Sequence, residues 1–367
     1  MELRQFRNYP ELSFIPGSGI TALCGPNGSG KTNLLEAIHL CCVGRSHRAV
    51  HDRELIREGQ AGAVCRLKAE KRDGSHTVEI RLDAAGAKVK AVKVNGKPVT
   101  RIGEMMGQIN CVMFSPEDLS LIKDGPAVRR RFLDMQLSQM YPNYFYTLQQ
   151  YNRVLEQRNS LLKTSPDEAE SQLPGWDEQL AAAGETIVRY RRGFLEKLSA
   201  RAAENYAQIA GPSGEPFQVR YSGQLAEKDD VAGEMLRQLK SRRHEDFFRG
   251  CTTFGPHRDD LSLTLSGREM KLYASQGQTR TGALSLKLAE LDLMERLQGE
   301  SPVLLLDDVM SELDPSRREM LQSRIRDIQT FITCTDEADL GRAMCREVIR
   351  VSREDGCAVL HRDGETK

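Results

Sequence analysis

No stretch of this sequence is apolar for long enough to cross a bilayer. The longest runs, such as 34–43, contain a glutamate and a histidine and fall far short of the roughly 18 residues that a span needs. The amino terminus lacks the basic-then-apolar pattern of an export signal, so the expectation is a cytoplasmic protein with no membrane partner. Nine cysteines include no Cys-x-x-Cys pair, which argues against a disulfide framework and against structural zinc. They read as small buried apolar residues in a reducing compartment. Net charge is missing as well: Lys plus Arg and Asp plus Glu number 52 each, so overall charge neither demands nor excludes nucleic acid. Any such contact must be local.

The 367 residues that are present suffice for two or three domains and a sizeable core. Short apolar segments at Leu3–Phe6, Leu12–Ile15 and Ile20–Cys24 predict strands, the third running into Gly25-Pro26-Asn27-Gly28-Ser29-Gly30-Lys31-Thr32. This is the G-x-x-x-x-G-K-[ST] pattern of a phosphate-binding loop. Its glycines let successive N–H groups face a triphosphate, and the helix predicted from Lys31 presents its positive end. Lys31 would reach the β and γ phosphates and the Thr32 hydroxyl would ligate magnesium. Leu34, Leu35, Ile38 and Cys42 are spaced to bury one face of that helix.

The acidic strand that such a loop requires, Val303–Leu306 followed by Asp307 and Asp308, arrives only some 270 residues later. In a compact nucleotide-binding domain the two lie side by side, so something substantial is inserted between them. Breaks at Asp73-Gly74-Ser75, Gly86 and Asn95-Gly96 predict an antiparallel meander over 63–99. Lys88, Lys90 and Lys93 on it admit a solvated face or a stripe facing nucleic acid. From Pro116 to about Lys240 the pattern turns helical and charge-rich, with a breaker at Thr164–Gly175 between two long helices, which reads as an arm of about 30 residues per helix, about 45 Å long. Arg129-Arg130-Arg131 and Arg189, Arg191 and Arg192 lie on or near it, either as solvated charge or as contacts to DNA.

Two further segments carry chemistry. At the carboxyl edge of its strand, Asp307 can hold the magnesium shell and Asp308 can orient or deprotonate the attacking water. Ser275-Gln276-Gly277-Gln278 opens a helix, where a serine grips a γ-phosphate or simply caps the helix. His257, beside Asp259 and Asp260, reads as catalytic or as structural.

In this order, phosphate loop, insertion, Ser-x-Gly-Gln helix start, acidic strand and Ser311-Glu312-Leu313-Asp314 resemble the ATP-binding-cassette ATPases of the DNA-handling, SMC-like branch. Phe6-Arg7-Asn8-Tyr9, Gly44-Arg45-Ser46, Phe114-Ser115-Pro116-Glu117-Asp118-Leu119, Arg129–Asp134 and Gly255-Pro256-His257-Arg258-Asp259-Asp260 resemble the RecF family, across essentially the whole chain. The resemblance implies an α/β fold: an ABC-type ATPase head with a mixed sheet and an antiparallel β subdomain, split by a helical arm. The head would comprise 1–115 and 250–367, and the arm 116–249. It implies ATP and Mg2+ as cofactors and slow ATP hydrolysis. Gly25 to Thr32 would bind nucleotide with Lys31 and Asp308 catalytic, and Thr32 and Asp307 would hold the metal. Ser275 to Gln278 would complete the site from a second copy, with Asp314 at the same seam and the Arg7 region near the phosphates. The implied partners are single-stranded and duplex DNA at gaps, a second copy of the chain in an ATP-induced head-to-tail dimer, RecR and RecO, and indirectly RecA.

Departures from the pattern are visible. Asp308 stands where most such ATPases carry Glu, consistent with a slow switch. Thr335-Asp336 follows the strand Thr330–Cys334 where transporters place His, and no glutamine loop is assignable, although Ser115-Pro116-Glu117 occupies a plausible place. A membrane transporter's energising subunit shares the loop and the acidic strand but needs that His and a membrane partner. A nucleotide kinase would leave Ser275 to Gln278 unexplained.

Overall fold

The fold is described from a computed structural model, which covers residues 1–86, 89–164, 169–211, 214–336 and 345–362. Lys88 and part of the 164–175 breaker lie outside the described residues. The chain forms two compact units, one of Met1–Asp118 with Leu291–Lys367 and one of Leu119–Glu290. The division falls at 118/119 and 290/291, so the segment 250–290 belongs with the insertion.

The first unit holds two six-stranded sheets. One is antiparallel: β1 (Glu2–Phe6), β2 (Tyr9–Ser13), β4 (Gly62–Lys71), β5 (Gly74–Asp83), β6 (Lys90–Val94) and β7 (Lys97–Val99), in the order β2-β1-β4-β5-β6-β7. The hairpin signals at 73–75 and 95–96 fall where expected, and Asn95 and Gly96 both adopt positive φ (49° and 78°), the requirement of a tight two-residue turn. The second strand begins at Tyr9 rather than Leu12, because the turn at Arg7-Asn8 already folds the chain back on β1. In the other sheet β3 (Ile20–Cys24), β8 (Cys111–Phe114), β12 (Val303–Leu306), β13 (Thr330–Cys334) and β14 (Glu347–Glu354) run parallel in the order β14-β3-β13-β12-β8, with β15 (Cys357–Arg362) antiparallel at one edge. β3 and β13 are buried at every residue, which is why they read as continuous apolar runs. The strand order fixes the site. The loop after β3 and the acids after β12 emerge at the same edge on either side of β13, where open parallel sheets hold their ligands.

Helix α1 (Lys31–Val43) packs against β4 and β5 of one sheet and β8 and β13 of the other. Eleven of its 13 residues are consequently buried, not only the predicted face of Leu34, Leu35, Ile38 and Cys42.

The second unit contains α2 (Pro126–Met140), α3 (Pro142–Leu161), α4 (Leu173–Ala210), α5 (Val231–Ser241), α6 (Arg243–Arg249) and the start of α7 (Gln276–Gln298), with a sheet of β9 (Phe217–Ser222), β10 (Asp260–Leu265) and β11 (Arg268–Glu269). β9 was not foreseen; it pairs residue for residue with β10. The helices are unequal, 20 residues in α3 and 38 in α4, the latter about 57 Å long at 1.5 Å per residue. They do not stand alone as a bare arm. α4 packs on α3, α5 and β9, burying 15 residues in a core of its own.

Neither reading of the arginine runs holds for their central members. Arg129 is buried and grips Asp260 through two bonds of 2.7 Å. Arg191, 2% exposed, donates to Asp134, the Tyr144 hydroxyl and the Pro256 carbonyl. Arg130 and Arg192 donate to the backbone carbonyls of Asp259 and of Leu225 and Lys228. Arg131 and Arg189 alone of the six are exposed. Arg158 is fully buried between Asp177 (2.7 Å) and Asp246 (2.8 Å). His257 is structural: Nδ1 shares a 2.6 Å bond with the Tyr151 hydroxyl and Nε2 a 3.0 Å bond with the Thr252 carbonyl, and burial lowers its pKa to about 4. No helix among the described residues is long and apolar enough to cross a membrane.

Candidate nucleotide site

Sterics and hydrogen bonds, not side-chain bulk, shape the loop at 25–32. A Cβ on Gly25 would lie 2.1 Å from the Val351 carbonyl oxygen, and Gly30 adopts φ 122° with Asn8 where its Cβ would be. Both positions therefore demand glycine. Asn8 donates to the Ser29 carbonyl (3.0 Å), the Tyr9 hydroxyl to the Gly30 carbonyl (3.0 Å), and Gly25 N–H to the Cys334 carbonyl on β13 (3.2 Å). Pro26, Asn27 and Gly28 form the exposed tip, while Ser29 and Gly30 are buried. Lys31 folds back under this tip, donating to the carbonyls of Gly25 (2.6 Å) and Pro26 (3.0 Å), so the loop and its lysine form one closed ring.

Two residues 275 positions apart meet beside it. The Thr32 hydroxyl donates to Asp307 Oδ1 at 2.8 Å, and Thr333, from the strand between them, donates to the same oxygen at 2.8 Å. The Asp308 N–H donates to the Thr333 hydroxyl at 2.9 Å, and Asp308 takes the left-handed conformation (φ 51°), which turns the chain away from the sheet immediately after the acid pair. Strained backbone of this kind concentrates where function holds it.

Sequence reasoning missed the supports. Arg7 (φ 50°) donates twice to Glu36, at 2.9 Å each, and once to the Glu54 carbonyl, which ties its guanidinium to α1. Burial would raise the pKa of Glu36, but hydrogen bonds from Arg7 and Ser46 and the charge of Arg7 outweigh it and keep the carboxyl ionised. Asn33 donates to Asn8 (2.8 Å), which links α1 to the loop's outer wall. A glutamate within the mainly apolar stretch of α1 and a threonine within a fully buried strand were the available signals.

The Ser275 segment belongs to the second unit. Ser275 is exposed, its Oγ accepts from Gln278 N–H (3.2 Å), and Gln278 Oε1 accepts from Ser275 N–H (2.8 Å), a reciprocal cap on α7. Asp314 likewise caps α8 (Pro315–Ile325), accepting from Arg317 N–H at 3.0 Å.

Residues 1–359 match the family model described as RecF/RecN/SMC N terminal domain. The chain is 43% identical over 340 residues to the DNA replication and repair protein RecF of Alkaliphilus oremlandii, covering 91% of this chain and 92% of that protein. It is 42% identical over 347 residues to RecF of Symbiobacterium thermophilum, with 93% and 92% covered. Among solved structures, the recombination mediator protein RecF-ATP in the RecFOR pathway superposes with TM-score 0.89 at 34% identity, over 98% of this chain and 96% of that one. An Smc head bound to the C-winged helix domain of ScpA shares the fold alone, with TM-score 0.58 and 18% identity. None of these relatives is a transporter subunit, and that alternative is set aside. A loop cradled by its own backbone, a strand-end acid bound to the loop's threonine, and this likeness along nearly the whole length lead to one conclusion: the chain belongs to the RecF family of DNA replication and repair proteins, with an SMC-like ATPase head fold.

Proposed function

We propose that the protein is an ATP-dependent DNA-binding switch of recombinational repair, with slow, magnesium-dependent hydrolysis. The observation that carries this reading is the 2.8 Å bond from Thr32 to Asp307, because a hydroxyl and a carboxylate meeting beside a phosphate loop are the hard oxygen donors that magnesium takes. When bound, magnesium would offset the charge of the phosphates, with Thr32 and Asp307 holding it. The backbone of Gly25 to Gly30 then orients the phosphates, and Lys31 exchanges its two carbonyl partners for phosphate oxygens. Asp308 orients the water that attacks.

Nucleotide binding is proposed to recruit a second copy head to tail, with Ser275, Gln276, Gly277 and Gln278 of one copy closing over the triphosphate of the other. The exposure of Ser275 and the polar start of α7 support this role, since a hydroxyl at the positive end of a helix suits an anion. The closed pair would grip gapped DNA in the cytoplasm and, with RecO and RecR, aid loading of RecA. Arg131 and Arg189 are the exposed cations of the two arginine runs and stand as candidates for backbone contact. The test is retention of a gapped duplex in ATP and in ADP across a salt series. ATP should raise affinity, and affinity should fall steeply with salt as counterions are released. Equal binding in both nucleotides would defeat the switch.

A further inference from the structure

The loop 44–50 that follows α1 is braced more firmly than a surface connection requires. Gly44 ends the helix in the left-handed conformation (φ 74°). Ser46 Oγ accepts from the N–H groups of Arg48 (2.9 Å) and Ala49 (2.8 Å) and donates to Glu36, which is itself held by Arg7. Arg48 reaches Asn33 on α1 (3.5 Å). These bonds fix the residue enclosed by them, His47. Its ring stands edge-on to His39, with centroids 5.2 Å apart, and both of its ring nitrogens are buried without a hydrogen-bond partner among the described residues. Such a ring is costly in a folded protein unless something completes it.

What lies around His47 indicates what that is. The carboxylates of Glu36, Asp307 and Glu117 are within electrostatic reach, and all belong to the first unit. Burial, the largest influence, together with Arg48, lowers the pKa despite these three acids, so the ring is neutral near pH 7 and offers one N–H and one lone pair. Glu36 is already matched by Arg7 and Ser46, whereas Asp307 carries the Thr32 bond that marks the metal end of the phosphate chain. A donor within electrostatic reach of Asp307 therefore belongs to the end of the site where magnesium and the terminal phosphate would lie.

We propose that His47 is a further nucleotide-contacting residue, whose N–H bonds the terminal phosphate of a nucleoside triphosphate seated on residues 25–32 and lets the site tell triphosphate from diphosphate. The inference rests on the reading of that loop as a nucleoside triphosphate site. The rigid bracing from Ser46 and Glu36 positions the ring in advance, as a precise site requires.

Equilibrium binding of ATP and of ADP, with magnesium, to the full-length wild type and to His47→Leu and His47→Gln tests it. His47→Leu should bind ADP as the wild type does and ATP about tenfold more weakly, the loss of one hydrogen bond to a charged group. His47→Gln, which keeps an N–H, should recover most of that loss. An unchanged ATP-to-ADP ratio in His47→Leu, or equal weakening of both nucleotides as a packing residue would give, overturns the proposal. Should the leucine variant fail to fold, His47→Phe, which keeps the aromatic edge against His39, should show the same shift in ratio, and an unchanged ratio there is equally fatal. Wild type that binds no ATP at all would overturn the assignment of the loop, and this proposal with it.

Discussion

The acids that organise the second unit's core and the acid at the first unit's nucleotide site are held in opposite ways. In the second unit the buried Asp177 and Asp246 enclose Arg158, while the partly exposed Asp134 and Asp260 meet Arg191 and both arms of Arg129. In the first unit Asp307 is 9% exposed yet is satisfied by two hydroxyls, with no ion pair among the described residues. A matched ion pair buried in a core organises the fold and has little left to offer a ligand. An acid held by neutral donors at the end of a parallel strand retains its charge for something that arrives.

This contrast is sharpest at Arg158. Arg158→Ala should leave Asp177 and Asp246 as buried charges with fewer partners and destabilise the second unit by about 3–5 kcal/mol. Urea unfolding followed by far-ultraviolet circular dichroism checks it, and a loss under about 1 kcal/mol would mean that these pairs do not organise the unit. Lys31→Met should do the reverse, leaving unfolding unchanged while weakening ATP binding by about 2–3 kcal/mol, because it deletes the charge that meets the phosphates. Undiminished affinity in equilibrium dialysis would refute the loop's role.

A smaller effect separates His257 from a catalytic histidine. Its folded-state pKa is lowered to about 4 from an ordinary 6.5, so the unfolded chain binds the proton more readily between these values. Stability should therefore be full above about pH 6.5 and fall by about 3 kcal/mol on acidification to about pH 4. His257→Gln should flatten that slope in thermal unfolding measured across the pH range, without changing the pH profile of ATP turnover. Smallest of all, Ser275→Ala should cost about 1 kcal/mol or less through the lost cap on α7, measured by the same unfolding.

The parts of the site that were legible in the sequence are those in which neighbours along the chain do the work. Ile20–Cys24, the glycines of 25–30, Lys31-Thr32 and Val303–Leu306 with Asp307 each carry their own apolar run or turn chemistry, and each lies where it was expected. Arg129, Arg158 and Arg191 were illegible because their partners lie 131, 88 and 57 positions away, as Asp260, Asp246 and Asp134, and burial of a charge is decided by the partner. Lys90 shows the same on a smaller scale: it read as solvated or DNA-facing, yet it donates to the Gly44 carbonyl and pairs with Asp52, both at 2.7 Å. The strand β9 was hidden for a related reason, since Phe217–Ser222 becomes a strand by pairing with β10 some 40 residues on.

The central claim is that nucleotide held at Lys31, Thr32 and Asp307 joins two copies through Ser275. Sedimentation velocity of the wild type and of Ser275→Arg, in excess magnesium with ATP or ADP, measures it most directly. The account predicts a wild-type dimer in ATP and a monomer in ADP, and a Ser275→Arg protein that still binds ATP but stays monomeric. A wild type that remains monomeric in saturating ATP, or a Ser275→Arg variant that dimerises as readily as the wild type, would contradict it.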